Sequence, residues 1–173
     1  LMNQPLDVLK AHWKHTAFRP TQEEIITTVL LGKDTFALLP TGGGKSICFQ
    51  IPALLKPGIC LVISPLVALM KDQVENLKNK NIKAIALTGG ISFEETNNLL
   101  DNCVFGDYKF LYLSPERLQQ DWVLERIKNL NINLVAIDEA HCISQWGQDF
   151  RPAYLKIAAL KDYFTVPFIA LTA

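Results

Sequence analysis

Six short runs of apolar residues recur along the chain, and none of them alternates between polar and apolar positions. Continuous runs of this kind are typical of strands in a parallel sheet that is covered on both faces. We therefore predict strands at residues 35–39, 59–63, 84–87, 110–113, 134–137 and 168–171.

Between these runs, apolar residues follow the spacing of amphipathic helices. Capping boxes at residues 21–24 and 92–95 predict two helix starts, and Gly32 predicts the end of the first helix. Helical spacing is also present at residues 66–78, 122–130 and 152–164. Strands that alternate with helices predict an α/β fold, with a mainly parallel doubly wound sheet and helices on both faces. In such sheets, ligands bind at the carboxyl ends of the strands.

Composition narrows the function classes. The chain has 173 residues, of which 49% are hydrophobic, so one domain with a substantial core is expected. Lysine plus arginine equals aspartate plus glutamate at 17 each, which excludes a global basic field for nucleic acid. The four cysteines lack metal-binding spacing, so we expect reduced, mostly buried thiols in an intracellular, cytoplasmic protein. No apolar stretch reaches the length of a membrane span, and no membrane partner is expected.

A glycine-rich loop follows the first predicted strand, in the sequence PTGGGKSICFQIP. The backbone amides that can converge on a phosphate at the start of a helix belong to Thr41, Gly42, Gly43 and Gly44. Lys45 can reach the outer phosphates of a nucleotide, and the Ser46 hydroxyl can bind Mg²⁺. Leu39 stands where the general pattern has its first glycine. The context of strand, loop and helix nevertheless predicts a phosphate-binding loop.

Two adjacent acids, Asp138 and Glu139, follow the apolar run at residues 134–137. Asp138 can hold the Mg²⁺ ion that Ser46 contacts, usually through water, and Glu139 can deprotonate the attacking water. Rival interpretations are a zinc site that includes His141, a glycosidase acid pair and a solvated acidic turn. Adjacent ligands lack zinc spacing, and a glycosidase pair leaves the glycine loop unexplained. We therefore favour a nucleotide hydrolysis site.

The pairing of TGGGKS with DEAH resembles the first motor domain of a superfamily-two helicase. The segments FRPTQ, SPLVALMKDQV, LYLSPERL, DEAHCISQWGQDFRP and ALTA extend the resemblance to the RecQ family of DNA helicases over essentially the whole chain. The resemblance implies a RecA-like P-loop fold, ATP and Mg²⁺ as cofactors, and ATP-driven 3′–5′ translocation on single-stranded DNA with duplex unwinding. It also implies that residues 1–173 form a single N-terminal helicase ATP-binding domain. The second RecA-like motor domain of the parent chain and its C-terminal domains would then lie outside these residues.

The resemblance also implies roles for individual residues near the nucleotide. Gln22 matches the glutamine that reads the adenine edge, and Arg19 supports the base. His15 stands where the family has a tyrosine that stacks on adenine, and its imidazole also offers a flat face. His141 matches the residue that couples DNA contact to the phosphates, and Thr172 the motif that links hydrolysis to DNA binding.

For DNA, the resemblance points to an aromatic-rich loop after the acids. The loop residues expected to contact single-stranded DNA are Trp146, Phe150 and Arg151, with burial in the core as the competing interpretation for Phe150. Further residues that match backbone-contacting positions are Ser64, Lys71, Asp72, Gln73, Ser114 and Arg117. Two alternatives stay open: an RNA helicase motor domain, and a nucleotide-binding module without useful turnover.

Overall fold

The sheet of this protein has six parallel strands, seen in a computed structural model that describes residues 4–40, 44–143 and 151–173. The strands are β1 (Thr35–Leu38), β2 (Ile59–Ile63), β3 (Ala84–Leu87), β4 (Phe110–Leu113), β5 (Ile132–Ile137) and β6 (Phe168–Thr172). They pair in the order β1-β6-β5-β2-β4-β3, and every pair is parallel. The six predicted strands are confirmed, although β5 begins two residues earlier than predicted.

Helices cover both faces of the sheet, which confirms the doubly wound RecA-like α/β prediction. They are α1 (Pro5–Val8), a π-helix (Leu9–Trp13), α2 (Pro20–Leu30), α3 (Ile47–Leu55), α4 (Val67–Asn79), α5 (Phe93–Phe105), α6 (Pro115–Leu118), α7 (Asp121–Lys128), a 3₁₀ helix (Ala140–Ile143) and α8 (Arg151–Tyr163). Helices α2, α3 and α4 pack on one face, and α5 to α8 pack on the other. The helices of only four or five residues were not predicted, because so short a segment cannot display an amphipathic period.

The middle of the sheet is fully buried, and one edge is not. All residues of β2, β4 and β5 are buried, as expected for strands covered on both faces. On the edge strand β1, Ala37 is buried against α2 and α3, whereas Phe36 and Leu38 are 71% and 68% exposed. Because successive side chains of a strand alternate between faces, the apolar run at β1 is covered on one face only in the described residues.

Helix α2 starts at a different residue from the one predicted. Its cap is Arg19 and its first residue is Pro20, so the capping box predicted at residues 21–24 is wrong. Proline suits the first helical position because its missing N–H would have no partner there. The Gln22 side-chain oxygen accepts the Arg19 backbone N–H at 3.0 Å, which closes the helix start. The second predicted box is confirmed at its cap, where Ser92 Oγ accepts the backbone N–H three residues later at 3.1 Å.

The cysteines of the described core are inert thiols. Cys48, Cys60 and Cys103 are buried and free, as predicted. Burial raises the pKa of Cys48 and of Cys103 to about 12, and it also raises the pKa of Cys60. No described helix combines the length and the apolarity that a membrane crossing requires.

Candidate nucleotide-binding site

The candidate site lies at the carboxyl edge of the sheet, where hydrogen bonds between strands continue past the strand ends. The Asp138 N–H donates to the Ile63 carbonyl oxygen at 2.9 Å, and the Ser64 N–H donates to the Leu113 carbonyl oxygen at 3.1 Å. Because the backbone is held at these positions, the side chains that follow β5 and β2 start from fixed points. Asp138 and Ser64 are both buried, and each is 2% exposed.

A lysine and two acids meet at this edge. Lys45 Nζ forms an ion pair with Glu139 Oε1 and lies 3.5 Å from Asp138 Oδ1. The three side chains are largely withdrawn from solvent, with exposed fractions of 15% for Lys45, 3% for Asp138 and 13% for Glu139. Buried charges are tolerated when they are paired, and here one cation faces two anions. The structure therefore joins the glycine loop and the acids, which are far apart in sequence.

The turn after β5 sends the two adjacent carboxylates in different directions. Glu139 has a backbone φ of +53°, in the left-handed region that side chains other than glycine rarely adopt. Such a residue costs about 1–3 kcal/mol and is often found at functional sites. The Glu139 N–H donates to Asp138 Oδ1 at 3.0 Å, which holds the turn together. As a result Asp138 points into the protein, and Glu139 reaches Lys45.

His141 connects this turn to the end of β6. Its Nε2 lies 3.2 Å from Glu139 Oε2, and its Nδ1 accepts the Ala173 N–H at 3.5 Å. Thr172, which precedes that amide, is 6% exposed. A shift of the β6 end can therefore reach Glu139 through one imidazole ring.

The end of the glycine loop contacts the start of α2. The Gln22 side-chain nitrogen donates to the Gly44 carbonyl oxygen at 3.0 Å. Gly44 has a φ of +72°, which favours glycine, and a Cβ at this residue would displace the Gln22 amide from its present position. Gln22 is buried, whereas Arg19 and His15 are exposed on the segment that leads into α2. The predicted adenine-reading residue thus lies beside the predicted phosphate loop, whose Thr41, Gly42 and Gly43 lie outside the described residues.

Oxygen donors near Lys45 suit Mg²⁺ better than zinc. Ser46 is the cap residue of α3, and Asp138 offers a carboxylate within 3.5 Å of the neighbouring lysine. Mg²⁺ usually takes one or two protein oxygens and completes its shell with water and substrate phosphates. Among the described residues no group of three or more His, Cys, Asp and Glu side chains could hold a metal ion. The described donors therefore fit Mg²⁺, and a zinc site lacks ligands among the side chains that the structure describes.

Two of the residues predicted to bind DNA have hydrogen-bond partners inside the protein. The Ser64 hydroxyl accepts the Leu66 backbone N–H at 3.3 Å, and its side chain is buried. The Gln73 side-chain nitrogen donates to Asp138 Oδ2 at 3.1 Å, and its oxygen accepts the Tyr112 hydroxyl at 2.6 Å. Both ends of the Gln73 amide are thus in use. Each side chain thus has partners within the fold, and the DNA contact predicted for it stays a prediction.

Arg117 also has its partners inside the protein. It is 5% exposed, and its guanidinium donates to the carbonyl oxygens of Thr88 at 3.0 Å and Ile91 at 3.1 Å, and to the Gln120 side chain at 2.9 Å. A guanidinium carries several donors in a fixed plane, so it can hold a loop that offers several carbonyl groups. Arg117 therefore supports the loop after β3, and the phosphate contact predicted for it stays a prediction. Ser114, in the same segment, is buried as well.

The remaining predicted DNA contacts are located only in part. Lys71 and Asp72 are exposed on α4. Trp146 and Phe150 lie outside the described residues, and Arg151 begins α8, with its side chain outside the description. The role predicted for the aromatic loop stays a prediction.

Sequence reasoning missed two polar residues that the structure connects to the site. The Gln50 side-chain nitrogen donates to the Tyr112 hydroxyl at 2.9 Å, and Tyr112 in turn reaches Gln73. Gln50 falls within the glycine-loop segment and Tyr112 within the strand sequence FLYL. A polar atom inside a fully buried strand was the only signal that could have marked Tyr112, since buried hydroxyl groups need partners.

Comparison with known proteins agrees with this geometry. The profile of the DEAD/DEAH box helicase family matches residues 19–173. The chain is 50% identical, over 91% of its length, to the Bacillus subtilis protein named "Probable ATP-dependent DNA helicase RecS". It is 46% identical over 100% of its length to the ATP-dependent DNA helicase RecQ of Pasteurella multocida, and 44% identical over 97% to that of Haemophilus influenzae.

These relatives are much longer than the chain, which spans 32%, 28% and 27% of their respective lengths. The matched region includes the glycine loop, the two acids and the closing strand. The chain therefore belongs to the DEAD/DEAH box helicase family, and within it the chain is similar to RecQ helicases across its whole length.

Proposed function

We propose that this chain is the ATP-binding motor domain of a RecQ-type DNA helicase that acts inside the cell on single-stranded and duplex DNA. The observation that carries the proposal is the convergence of Lys45 with Asp138 and Glu139 at the end of the glycine loop. A phosphate-binding cation beside a metal-holding acid and a general base is what ATP hydrolysis needs. The relatives named as ATP-dependent DNA helicases support DNA as the polymer.

In this proposal, Lys45 changes partners when nucleotide binds. Without phosphates, its ammonium group is neutralised by Asp138 and Glu139. The outer phosphates of ATP then attract Lys45 and release Glu139, whose carboxylate accepts a proton from the attacking water. General-base help of this kind is worth roughly 10²–10⁴ in rate. His141, 3.2 Å from Glu139 Oε2, orients the released carboxylate.

The residues that would hold Mg²⁺ and the adenine ring of ATP are separate from Glu139, which would accept the proton. Ser46 and Asp138 would hold Mg²⁺, which when bound neutralises charge on the phosphate oxygens. Gln22 would pair with the adenine edge, since an amide can pair bidentately with adenine. It would do so by exchanging its present hydrogen bond with Gly44. His15, exposed nearby, would supply a flat face for the base.

On the polymer side, Trp146, Phe150 and Arg151 would contact single-stranded DNA, with movement from 3′ to 5′. Base stacking on an aromatic side chain is worth about 1–3 kcal/mol per base. The chain spans less than a third of the length of its RecQ relatives from Pasteurella and Haemophilus. We propose that a second RecA-like domain of the full chain completes the ATP cleft and makes translocation and unwinding possible.

The experiment is steady-state ATP hydrolysis by the full chain, without nucleic acid, with single-stranded DNA and with single-stranded RNA. We expect Mg²⁺-dependent hydrolysis that DNA stimulates more than RNA, and unwinding of duplexes that carry a 3′ tail. Lys45→Ala should lower hydrolysis by at least roughly 10²-fold, the cost of losing one charge-stabilising donor. Lys33→Ala, which removes an exposed lysine just before β1, is the matched control and should change nothing.

Three results would overturn parts of the proposal. Equal or greater stimulation by RNA would favour an RNA helicase. Tight nucleotide binding with no turnover under any condition would favour a binding module. Hydrolysis by Lys45→Ala at the parental rate would remove the phosphate-loop assignment altogether.

A further inference from the structure

We propose that Tyr112 and Gln73 are a positioning pair that fixes the carboxylate of Asp138, and that they connect helix α4 to the metal-holding side of the site. The inference rests on the proposed function, because it assigns a metal-related role to the side chains behind Asp138. Neither residue would touch the nucleotide. Both would act through Asp138.

Hydrogen bonds join four side chains from α3, β4, α4 and the end of β5. Gln50 donates to the Tyr112 hydroxyl at 2.9 Å, Tyr112 donates to the Gln73 side-chain oxygen at 2.6 Å, and the Gln73 side-chain nitrogen donates to Asp138 Oδ2 at 3.1 Å. Gln50, Tyr112 and Asp138 are 4%, 0% and 2% exposed. The chain of hydrogen bonds therefore runs through the protein interior, behind the site.

The direction of every hydrogen bond in this chain follows from its acidic end. An ionised carboxylate only accepts, so Gln73 must turn its NH₂ group toward Asp138. The Gln73 oxygen then needs a donor, and the single proton of Tyr112 supplies it. The Tyr112 oxygen is left to accept, and the Gln50 NH₂ group donates to it. Each group has one arrangement that satisfies its neighbours, so the chain specifies a single orientation of the Gln73 amide.

Burial keeps Tyr112 in the form that this arrangement requires. Tyr112 lies within β4 with no exposed surface, and burial raises the pKa of its hydroxyl well above the ordinary value. The hydroxyl therefore stays protonated and continues to donate to Gln73.

The two oxygens of Asp138 are held by different parts of the protein. Oδ1 accepts the Glu139 N–H at 3.0 Å and lies 3.5 Å from Lys45 Nζ, whereas Oδ2 faces Gln73. A carboxylate held at both oxygens has a fixed plane. Residues that orient a metal-holding ligand from behind typically contribute about 10–100-fold in metal affinity. We expect the lower end of that range, because a cleft of about 220 Å³ lined by Gln50 and Gln73 can admit water as a partial substitute.

The pair also gives α4 a short route to the site. Gln73 is half-buried on the inner side of α4, and Lys71, two residues earlier, is exposed. A displacement of α4 by a bound polyanion therefore reaches Asp138 through a single side chain. Such coupling requires that the ligand bind one arrangement of the pair better than another.

The test measures Mg²⁺-dependent binding of a fluorescent, non-hydrolysable ATP analogue to the full chain. The variants are Tyr112→Phe, Gln73→Met and the double variant, with thermal melting of each. Tyr108→Phe is the matched control, because it also removes a tyrosine hydroxyl. Tyr108 lies just before β4, at the amino edge of the sheet, away from Asp138. Each single variant should raise the Mg²⁺ concentration for half-maximal binding about tenfold. Binding without Mg²⁺ should not change.

The double variant separates a chain of hydrogen bonds from two independent effects. If Tyr112 acts through Gln73, the double variant should match either single variant, because removing one member already breaks the chain. Unshifted Mg²⁺ midpoints, or a double shift equal to the product of the single shifts, would overturn the proposal. If Tyr112→Phe melts early, Gln73→Met keeps the test decisive, since this residue is only half-buried.

Failure of this inference is distinguishable from failure of the proposed function. Parental protein that binds the analogue in a manner dependent on Mg²⁺ and Lys45, with variants that behave like it, would overturn the positioning pair alone. Parental protein that does not bind the analogue would overturn the nucleotide site itself.

Discussion

Polar side chains follow several strands at the carboxyl edge of the sheet, but those after β1 and β5 behave differently from those after β2 and β4. Lys45, Asp138 and Glu139 converge and leave charged groups at the surface of a shared site. In contrast, Ser64 accepts a backbone N–H of its own loop, Arg117 donates to a carbonyl oxygen of the loop after β3, and both residues are buried. Position at the edge of a sheet therefore does not decide whether a polar residue serves a ligand or the fold.

The difference follows from the hydrogen-bond and ion-pair partners that surround each residue. Arg117 donates to two carbonyl oxygens of the loop after β3, and a buried guanidinium that lost these acceptors would be left unsatisfied. The described partners of Lys45 are the carboxylates of Asp138 and Glu139, and a bound phosphate can replace them. Lys45 is therefore a better candidate for phosphate binding than Arg117.

The largest expected effect lies among the residues after β1 and β5, where the two acids should differ in function. Glu139→Gln should keep nucleotide binding and slow hydrolysis by at least roughly 10²-fold, because the general base is lost. Asp138→Asn should instead weaken Mg²⁺-dependent nucleotide binding, because Asp138 is the acid held from behind by Gln73. Nucleotide affinity and single-turnover hydrolysis of the full chain measure the two effects. The same binding defect in both variants, with no separate loss of hydrolysis, would show that the acids do not divide the work.

The next largest effect is on stability, and it tests Arg117 in the segment after β4. Arg117→Ala should lower the free energy of unfolding by about 3 kcal/mol, since each buried group left unsatisfied costs about 1–3 kcal/mol. The control is Arg126→Ala, which removes an arginine that is 29% exposed and paired with Asp101 on the surface. This variant should cost less than about 1 kcal/mol. Urea denaturation measures both. Weaker DNA binding by Arg117→Ala at unchanged stability would instead return Arg117 to the DNA surface.

The smallest effect concerns Lys71, an exposed residue of the segment that is predicted to contact DNA. Lys71→Ala should weaken DNA binding modestly and lower the slope of log affinity against log salt by about 1, as expected when one phosphate contact is lost. Stability should not change, because Lys71 is exposed. Lys78→Ala, at the other end of α4, is the control and should leave the slope unchanged. DNA titrations at several salt concentrations give the answer. An unaltered slope for Lys71→Ala would separate α4 from DNA binding.

Much of the architecture was predictable from the chain, because strands that are buried on both faces must be apolar throughout. The runs at β2, β3 and β4 predicted these strands with their observed bounds. The start of α2 was not predictable to the residue, since both Thr21 and Arg19 precede a glutamine or glutamate at a suitable distance, and Pro20 decided between them. Local patterns therefore predict the helices and strands, whereas competition between possible cap residues decides where a helix starts.

What the sequence by itself determined is the order of elements and the chemical groups placed near the ends of β1 and β5. The tertiary structure alone decided where the side chains point. The Gln73 amide turns toward Asp138 because a buried carboxylate needs a donor, and Tyr112 turns toward Gln73 because a buried hydroxyl needs an acceptor. Such partners come from elements that lie far apart in the chain. No periodicity or motif spacing encodes them, and only packing brings them within hydrogen-bonding distance.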